Sequence, residues 1–323
     1  MTERFPGFED EWRPLAERSR NVFGTREWAE TWWRHFGGDG ELRTTLVPSV
    51  AVLPLYVERV GPFRLLRFLG QSHADEGGPV CAPEDRDRAA AAMRDVFAEG
   101  GFHLFLGDDL SPGWAETLGA RVVERTSSPV VALTDPTWDE FLATRSSNFR
   151  QQLRTSERRL ARDRGLAFRL ADVSSLTRDL DVLFALHKAR WPGSAWFASA
   201  EPFHREFAAV ALERGWLRLW ILELDGRPAA AWLGYRFAGV ESYYQAGRDP
   251  ALQRERVGLV LLAHSIREAL ADGMDEYRLL RGDESFKYRF ATSDPGLETI
   301  ARPQGALGRV ALALRTFRRR RSS

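Results

Sequence analysis

The chain has 323 residues, of which 44% are hydrophobic and 28% charged, and its formal net charge is +1. Because domains average on the order of 150 residues, this length indicates two domains or one large one. The near-zero net charge excludes the strongly basic and strongly acidic classes of protein, and it neither requires nor forbids a polyanionic partner. The single cysteine, Cys81, excludes an internal disulfide and a cysteine-rich metal site.

Almost all basic residues are arginine. Among the 46 basic residues only Lys188 and Lys287 are lysine. Lysine differs from arginine because it is a compact point charge whose pKa shifts when it is desolvated. Lys287 is therefore our leading candidate for a specific role. Chance survival of the codon is the alternative for both lysines.

The sequence shows neither a signal segment over residues 1–20 nor a run that could span a membrane. The first twenty residues are polar and charged, and no run of about 18 apolar residues occurs. We therefore expect no transmembrane segment and a cytoplasmic location. The arginine-rich residues 315–321 are expected to form a solvated tail, with a weak contact to an anionic surface as the functional alternative.

Helical and strand-like segments alternate in the first half of the chain, which predicts an α/β domain over residues 1–137. Large apolar residues at helical spacing predict a helix over 26–36, which Gly37 ends. Pro54 predicts an edge or a bulge in its strand. Strands are predicted at 42–47, 50–57, 65–69, 102–106, 120–125 and 129–133, with a second helix at 86–99.

Residues 138–165 form a highly charged helical stretch with a thin apolar stripe at Phe149, Leu153 and Leu160. We interpret it as a basic helical connector between two domains. A basic surface facing an anionic ligand is the functional interpretation of the same pattern.

Residues 166–323 predict a strand, two helices, a three-stranded antiparallel meander, a helix and further short elements. Asp225-Gly226 is typical of a two-residue hairpin turn. The predicted strands are 166–171, 216–224, 228–237, 240–247, 277–280 and 297–301, and the predicted helices are 177–191, 201–214 and 257–271, with a helix opening at 286–290.

Five short motifs occur in order within this half. Together with the element order, they resemble the CelD-like branch of the GNAT acyltransferase superfamily, which is similar to the Fem-type aminoacyltransferases. The motifs are Leu186-His187-x-x-Arg190-Trp191, Phe203-His204, Leu224-Asp225-Gly226-x-Pro228, Tyr243-Tyr244-x-x-Gly247-x-Asp249-Pro250 and Arg281-Gly282-Asp283-Glu284-x-x-Lys287.

The resemblance implies an α/β (α+β) fold of tandem GNAT-like domains, each a mixed, mostly antiparallel sheet flanked by helices. The motifs cover residues 150–290. Residues 1–137 fit a degenerate N-terminal GNAT-like domain, and residues 166–323 fit the acyltransferase domain with its basic tail.

The resemblance also implies an acyl-CoA co-substrate. In GNAT enzymes its pantetheine arm lies between two splayed strands, here 241–247 and 276–281. Its pyrophosphate lies at the N-terminus of the next helix, where backbone N–H groups attract anions.

The family's phosphate-binding pattern, Gln/Arg-x-x-Gly-x-Gly/Ala, assigns donor binding to the segment before that helix. Arg256 stands where the pattern has glycine. Arginine side chains at this place are able to grip phosphate. The candidate donor-binding residues are Gln253, Arg254, Arg256, Gly258 and Phe286.

Fem-type enzymes carry a Phe-Lys pair that Phe286-Lys287 matches. The resemblance implies that Lys287 stabilises charge while the acyl carbon is attacked, which is favourable in a dry site. Asp283 and Glu284 are candidates to accept a proton from the attacking amine. Ion pairing with neighbouring basic residues is the structural alternative for both.

Tyr243 and Tyr244 alternate across a strand, so only one can face a cleft. We assign Tyr244 to catalysis, as proton donor to a leaving thiolate, and Tyr243 to substrate binding, with packing as the alternative. Substrate binding is also assigned to His187, Arg190, Trp191 and His204, although buried structural histidines are more common on such helices. Trp191, Trp196 and Phe197 are expected to line an apolar wall of a cleft between the domains.

The sequence therefore predicts an acyltransferase that moves an acyl group from acyl-CoA to a small-molecule amine. An aminoacyl-tRNA-dependent enzyme of Fem type is the first alternative, supported by Phe286-Lys287, the arginines of 145–164 and the basic tail. A catalytically degenerate binding or scaffold protein is the second, because Arg256 departs from the pattern. No metal is expected, since no residues have metal-ligand spacing.

Overall fold

A computed structural model describes Phe5, residues 7–193 and residues 195–320. Contacts divide the chain into two compact units. The first unit contains the described residues up to Ser127 together with those from Pro295 onwards, and the second unit is Ser128–Asp294.

Up to Ser127, the described residues of the first unit form four α-helices and eight strands. Helix α2 begins after Thr25, whose hydroxyl accepts the Trp28 N–H at 3.3 Å, and it ends at Gly37 as predicted. The elements are α1 (Glu9–Ser19), α2 (Arg26–Phe36), β1 (Glu41–Leu42), β2 (Thr45–Val47), β3 (Ala51–Leu53), β4 (Leu55–Val60), β5 (Phe63–Phe68), β6 (Val80–Cys81), α3 (Arg86–Glu99), β7 (Leu104–Leu110), α4 (Trp114–Thr117) and β8 (Arg121–Thr126).

The described residues of the second unit form six further strands and six α-helices. Its hairpin turn has Asp225 and Gly226 at φ 52° and 72°, which matches the turn that the sequence predicts. The elements are β9 (Val130–Ala132), α5 (Trp138–Ala143), α6 (Ser147–Asp163), β10 (Ala167–Leu170), α7 (Leu176–Arg190), α8 (Ala195–Ser199), α9 (Glu201–Glu213), β11 (Leu217–Leu224), β12 (Arg227–Phe237), β13 (Val240–Arg248), α10 (Val257–Ala271) and β14 (Glu276–Arg278).

The chain then returns to the first unit as β15 (Leu297–Pro303) and α11 (Gly305–Arg320). Strand β15 pairs with β7 on one side and β8 on the other. The boundary that we drew at 166–323 therefore needs correction, because this strand completes the first sheet. Pairing between distant segments leaves no periodic signal in the sequence, so the return was not found.

Each unit has a six-stranded, mostly antiparallel sheet flanked by helices, which confirms the predicted fold class. The strand orders are β1-β4-β5-β7-β15-β8 and β10-β11-β12-β13-β14-β9, and β2-β3-β6 form a small third sheet. Each large sheet contains one parallel pair, β5 with β7 and β13 with β14. None of the helices described is long and apolar enough to cross a membrane.

Helices α5 and α6 occupy the stretch that we interpreted as a connector. The stripe residues Phe149, Leu153 and Leu160 are at most 4% exposed, and they pack in one cluster with the apolar face of α10. The stretch is therefore part of the second unit's core. The many charged residues of the stretch favoured the connector interpretation. Three apolar residues on one face nevertheless pack α6 against the core.

Three other segments differ from the sequence-based expectation. The run at 50–57 is two strands in different sheets, because Pro54 has no N–H for a ladder. The helix expected at 286–290 is a single 3-10 turn, after which Thr292 donates its N–H to the Val130 carbonyl at 2.8 Å. The arginine-rich end, expected as a solvated tail, belongs to helix α11 as far as Arg320.

Candidate active site

Strands β13 and β14 separate after a short parallel pairing. Val240–Ser242 pair with Glu276–Arg278, and β13 then continues to Arg248 while β14 ends. Leu280 and Gly282, at φ 57° and 121°, turn the chain away from the sheet. Among the described residues, no strand pairs with β13 on this side beyond Ser242, which leaves an open strand edge.

A β-bulge in β13 sets the directions of the two tyrosines. Tyr243 lies opposite Gly234 and Gln245 lies opposite Leu233, so Tyr244 is the extra residue. A Cβ atom on Gly234 would overlap the Ser242 carbonyl, which explains glycine at the bulge.

Tyr243, rather than Tyr244, lies beside the motif of residues 281–287. Its ring is 6.2 Å from that of Phe286 and 6.1 Å from that of Trp232. Tyr244 instead packs 5.6 Å from the His204 ring and 5.7 Å from the Tyr235 ring. Burial raises the pKa of Tyr243 to about 12, with opposing smaller effects of nearby Arg190 and Glu284. Tyr243 therefore keeps its proton at ordinary pH.

The Lys287 ammonium holds the loop that follows β14. Its Nζ donates to the carbonyl oxygens of Arg281 at 2.6 Å and Leu280 at 3.2 Å, and it pairs with Glu284 Oε2 at 2.9 Å. Lys287 itself is 3% exposed. A Cβ atom on Gly282 would overlap this carboxylate, so the glycine of the motif makes room for the ion pair.

The two acidic candidates lie on the surface of the same loop. Asp283 and Glu284 are both exposed, and the Glu284 side chain retains 54% of its accessible surface while it pairs with Lys287. Both the structural and the functional interpretation of Glu284 thus apply to one side chain, since a carboxylate in an ion pair still offers a free lone pair to solvent.

Arg256 precedes α10 in a left-handed conformation, with φ 58°. This backbone region favours glycine, which accounts for the glycine in the family pattern. The Arg256 carbonyl accepts the N–H groups of Leu259 and Val260 at 3.0 and 3.1 Å. The loop therefore starts the helix normally with arginine in place of glycine, and Gly258 lies in the first turn, where N–H groups lack intrahelical acceptors.

Other arginines gather around this helix N-terminus. Arg159 of α6 donates to the Arg254 carbonyl at 3.5 Å. The pKa of Arg289 is lowered by burial and by the charge of Arg256. Sequence analysis missed Arg159 and Arg289 as site residues, because they reach α10 from separate segments and stand out only as members of arginine-rich stretches.

Helix α7 lies against β13 at close range. A Cβ atom on Gly247 would overlap the backbone of Leu186 and His187, which explains the glycine of the tyrosine motif. The His187 side chain hydrogen-bonds that of Gln245, and burial, with a smaller effect of Arg190, lowers the pKa of His187. His187 is thus a neutral, buried partner of β13.

His204 is fully buried within an aromatic cluster. Its ring lies 4.5 Å from Phe197 and 5.0 Å from Phe203. Trp191, in contrast, is 48% exposed, and the Arg190 guanidinium lies 4.7 Å from its ring centroid. Of these four substrate-binding candidates, Trp191 presents the most surface to a ligand.

The structure thus gathers most of the candidates into three groups, while Arg190 and Trp191 pair with each other. No cluster that could hold a metal ion occurs among the residues described. The open edge and its loop bring together Tyr243, Asp283, Glu284, Phe286 and Lys287; the start of α10 brings together Gln253, Arg254, Arg256 and Gly258; and Tyr244, His187 and His204 are buried in packing around β13.

Comparison with known proteins agrees with this geometry. Residues 147–288 match the family model described as an acetyltransferase (GNAT) domain. No curated protein matches the sequence.

Several solved structures share the fold over at least 90% of this chain. FemX is 11% identical, with 94% of this chain and 98% of FemX covered and a TM-score of 0.68. The C-terminal domain of a putative lysylphosphatidylglycerol synthetase from Agrobacterium fabrum is 15% identical, with coverages of 94% and 93% and a TM-score of 0.60. L-PGS from Bacillus licheniformis is 13% identical, with coverages of 90% and 96% and a TM-score of 0.57. Residues 147–288 are thus similar to a GNAT acetyltransferase domain, and the chain has a Fem-like GNAT fold.

Proposed function

We propose that this protein is an N-acyltransferase that moves an acyl group from acyl-CoA to a small-molecule amine. The observation that carries the proposal is the open edge of β13, which begins beside the Lys287 loop and ends at the turn before α10. The open edge therefore connects the Lys287 loop, where we place the reaction, with the N-terminus of α10, where we place an anionic group of the donor.

The open edge suits an extended donor arm that contains amide groups. An unpaired strand edge presents alternating N–H and C=O groups, and a ligand with its own amides can continue the ladder. In the proposal, the pantetheine arm lies along Tyr243–Arg248 with its acyl end toward Phe286 and Lys287.

The start of α10 suits the donor's pyrophosphate. Free N–H groups of a first helical turn attract anions. Arg254 and Arg256 add positive charge, Arg159 donates to the Arg254 carbonyl, and Arg256 is near enough to Arg289 to lower its pKa. These charges support Arg256 as a replacement for the glycine of the family pattern, since arginine binds phosphate directly.

The reaction requires an amine nitrogen to attack the acyl carbon. A C–N bond forms, the C–S bond breaks, the thiolate leaves and takes up a proton, and the amine loses one. We assign acceptance of the amine proton to Glu284 or Asp283, which are exposed on the loop. Tyr243, which stays protonated, is assigned to hydrogen-bond the leaving group, in place of the buried Tyr244.

Lys287 acts in this proposal mainly as a positioning residue. Its three N–H groups already have acceptors in the loop carbonyls and Glu284. It therefore fixes the carboxylate and the loop at the end of the open edge, and its buried charge favours a developing negative charge nearby.

Transfer from aminoacyl-tRNA is a second candidate function. Exposed arginines on one helix support it, as does the similarity to two structures named for lysylphosphatidylglycerol synthetase and L-PGS. Binding of tRNA through these arginines would weaken steeply with salt, because phosphate contacts release counterions. The exposed arginines of α6 are Arg154, Arg158, Arg159 and Arg162.

A donor-swap assay with mass detection of products separates the proposals. The protein is incubated with a panel of primary amines and either acetyl-CoA or a charged tRNA pool. Acetylated amine together with released CoA thiol supports the main proposal, and an aminoacylated product from tRNA alone supports the second. Absence of any product with both donors, in a folded protein, would contradict both and favour a binding role.

A further inference from the structure

Helix α11 attaches to the first unit through a face of small side chains. Ala311 is 6% exposed and packs with Leu312 in a cluster of strand residues. A Cβ atom on Gly308 would overlap the His103 carbonyl, so the helix lies directly on the chain before β7. Arg315 reaches Asp108 at 3.6 Å. The orientation of the helix about its axis is therefore fixed.

The opposite face of α11 carries an exposed apolar stripe, formed by Leu307, Val310, Leu314 and Phe317. These side chains are 52%, 49%, 45% and 55% exposed. Their spacing of three and four residues puts them on one side of the helix. Four of the nine exposed large hydrophobic residues found in the described part of the chain lie here, so the stripe is a concentrated patch rather than ordinary scatter.

The charge of this helix has one sign. Every charged residue of α11 is an arginine, and the sequence continues with Arg321. Arg309 is exposed next to the stripe. A helix with an apolar stripe and arginine flanks has the composition of helices that lie in the interface of a bilayer.

We propose that the apolar stripe of α11 docks the protein onto an anionic lipid surface. The apolar side chains would enter the boundary between headgroups and acyl chains, and the arginines would pair with anionic headgroups. A second copy of this chain fits less well, because joining two such stripes would bring two arginine-only helices together. The inference does not depend on the acyl-donor site, since α11 belongs to the first unit.

Vesicle flotation with the full chain tests the proposal. Vesicles of phosphatidylglycerol and phosphatidylcholine are compared with vesicles of phosphatidylcholine alone. We expect binding to the anionic vesicles, reduced by added salt, and at least about tenfold weaker binding to neutral ones, since charge and apolar burial act together.

Substitutions in the stripe separate the helix from other surfaces. Leu307→Asn with Leu314→Asn should lower vesicle partitioning by at least about tenfold while the protein stays folded, because both side chains are about half exposed and the loss of helix propensity is small. Val173→Asn, at an 87% exposed position of the second unit, is the matched control and should leave partitioning unchanged.

Three results would overturn the proposal. They are failure of the folded wild-type protein to float with anionic vesicles at low salt, unchanged flotation of the double variant, and a dimer in analytical ultracentrifugation that the double variant dissociates. The last result would assign the stripe to self-association. The double variant should keep any acyl-transfer activity toward a water-soluble amine, so failure of either proposal leaves the other intact.

Discussion

Lys287 and Glu284 form an ion pair of 2.9 Å in the space that the missing side chain of Gly282 leaves free. The lysine is buried and the glutamate is half-exposed. This relationship explains why glycine, glutamate and lysine occur together in the motif of residues 281–287. It also links the stability of the loop to the chemistry proposed for it.

Replacing Lys287 should affect both stability and transfer. Lys287→Met leaves the carbonyls of Leu280 and Arg281 without their cationic donor, and we expect a loss of about 2 kcal/mol in the free energy of unfolding. Transfer should fall by at least about tenfold as the loop loosens. Urea denaturation and the donor-swap assay measure the two effects.

Lys188→Met is the matched control, because Lys188 is the other lysine and is exposed. It should leave stability and transfer unchanged. Lys287→Met with wild-type stability and turnover would show that the loop does not depend on this ammonium.

Gly282→Ala should be more destabilising than Gly273→Ala. Both glycines have positive φ, 121° and 73°, but a Cβ atom meets nothing within 4 Å at Gly273 and overlaps the Glu284 carboxylate at Gly282. Alanine at the left-handed Gly273 costs about 1 kcal/mol of backbone strain. The φ of 121° at Gly282 is less accessible to alanine and costs about 1–3 kcal/mol, and displacement of the ion pair should add about 1–2 kcal/mol. Equal melting temperatures of the two variants would refute the steric role of Gly282.

Replacing Gly247 and Gly258 with alanine should change the stability of the protein in opposite directions. Gly247→Ala forces β13 and α7 apart and should cost about 1–3 kcal/mol, because backbone atoms cannot yield easily. Gly258→Ala meets only the flexible Arg248 side chain and should gain up to about 1 kcal/mol from helix propensity. Chemical denaturation measures both. A neutral Gly247→Ala variant would contradict the close packing of α7.

Stability should fall at mildly acid pH through His264. Burial, with a smaller effect of Arg267, lowers the pKa of His264 from 6.5 to about 4, and Glu268 at 3.9 Å does not offset this. Between pH 6.5 and about 4, the unfolded chain therefore binds a proton at His264 and the folded chain does not. The neutral ring contributes fully to the free energy of unfolding above the unfolded pKa of 6.5. This contribution is lost as the pH falls from 6.5 toward about 4.

The size of this effect is accessible with one variant. The linkage relation gives a loss of about 2 kcal/mol between about pH 7.5 and about pH 5 for wild type. His264→Phe keeps a ring for stacking on Phe168, 3.8 Å away between centroids, and should lose about 2 kcal/mol less over the same range. Parallel pH profiles of wild type and variant would contradict the assignment.

Local patterns predicted most of the elements. The bounds of α2, α3 and α10 agree with the expected 26–36, 86–99 and 257–271, because apolar spacing and terminal glycines define a helix locally. The return of β15 to the first sheet was missed, since its partners are distant in the chain. Local sequence patterns thus predict the helices and strands, but they do not predict in which unit each one packs.

The candidate site, like the fold, was predictable from the sequence only in part. The motif residues Glu284 and Lys287 were found from the sequence and contact each other. The approach of Arg159 and Arg289 to the start of α10 was not, because it depends on how three separate segments pack. The bulge at Tyr244 places Tyr243, rather than Tyr244, beside the motif of residues 281–287, since a single extra residue changes the face that a strand presents.

Arg256 carries both strain and charge, and two variants separate them. Arg256→Gly relieves a left-handed residue and should raise stability by about 0.5–1 kcal/mol. Arg256→Gln keeps the strain and removes the charge, so its stability should stay near wild type. Both variants should bind the anionic donor more weakly, because each loses the guanidinium.

Calorimetric titration of the full chain with acetyl-CoA tests the central claim most directly. The account predicts binding by wild type and by Arg227→Gln, an exposed control on the β11–β12 hairpin, with at least about tenfold weaker binding by Arg256→Gln. Absence of acetyl-CoA binding to the folded wild-type protein, or equal affinity of wild type and Arg256→Gln, would contradict it.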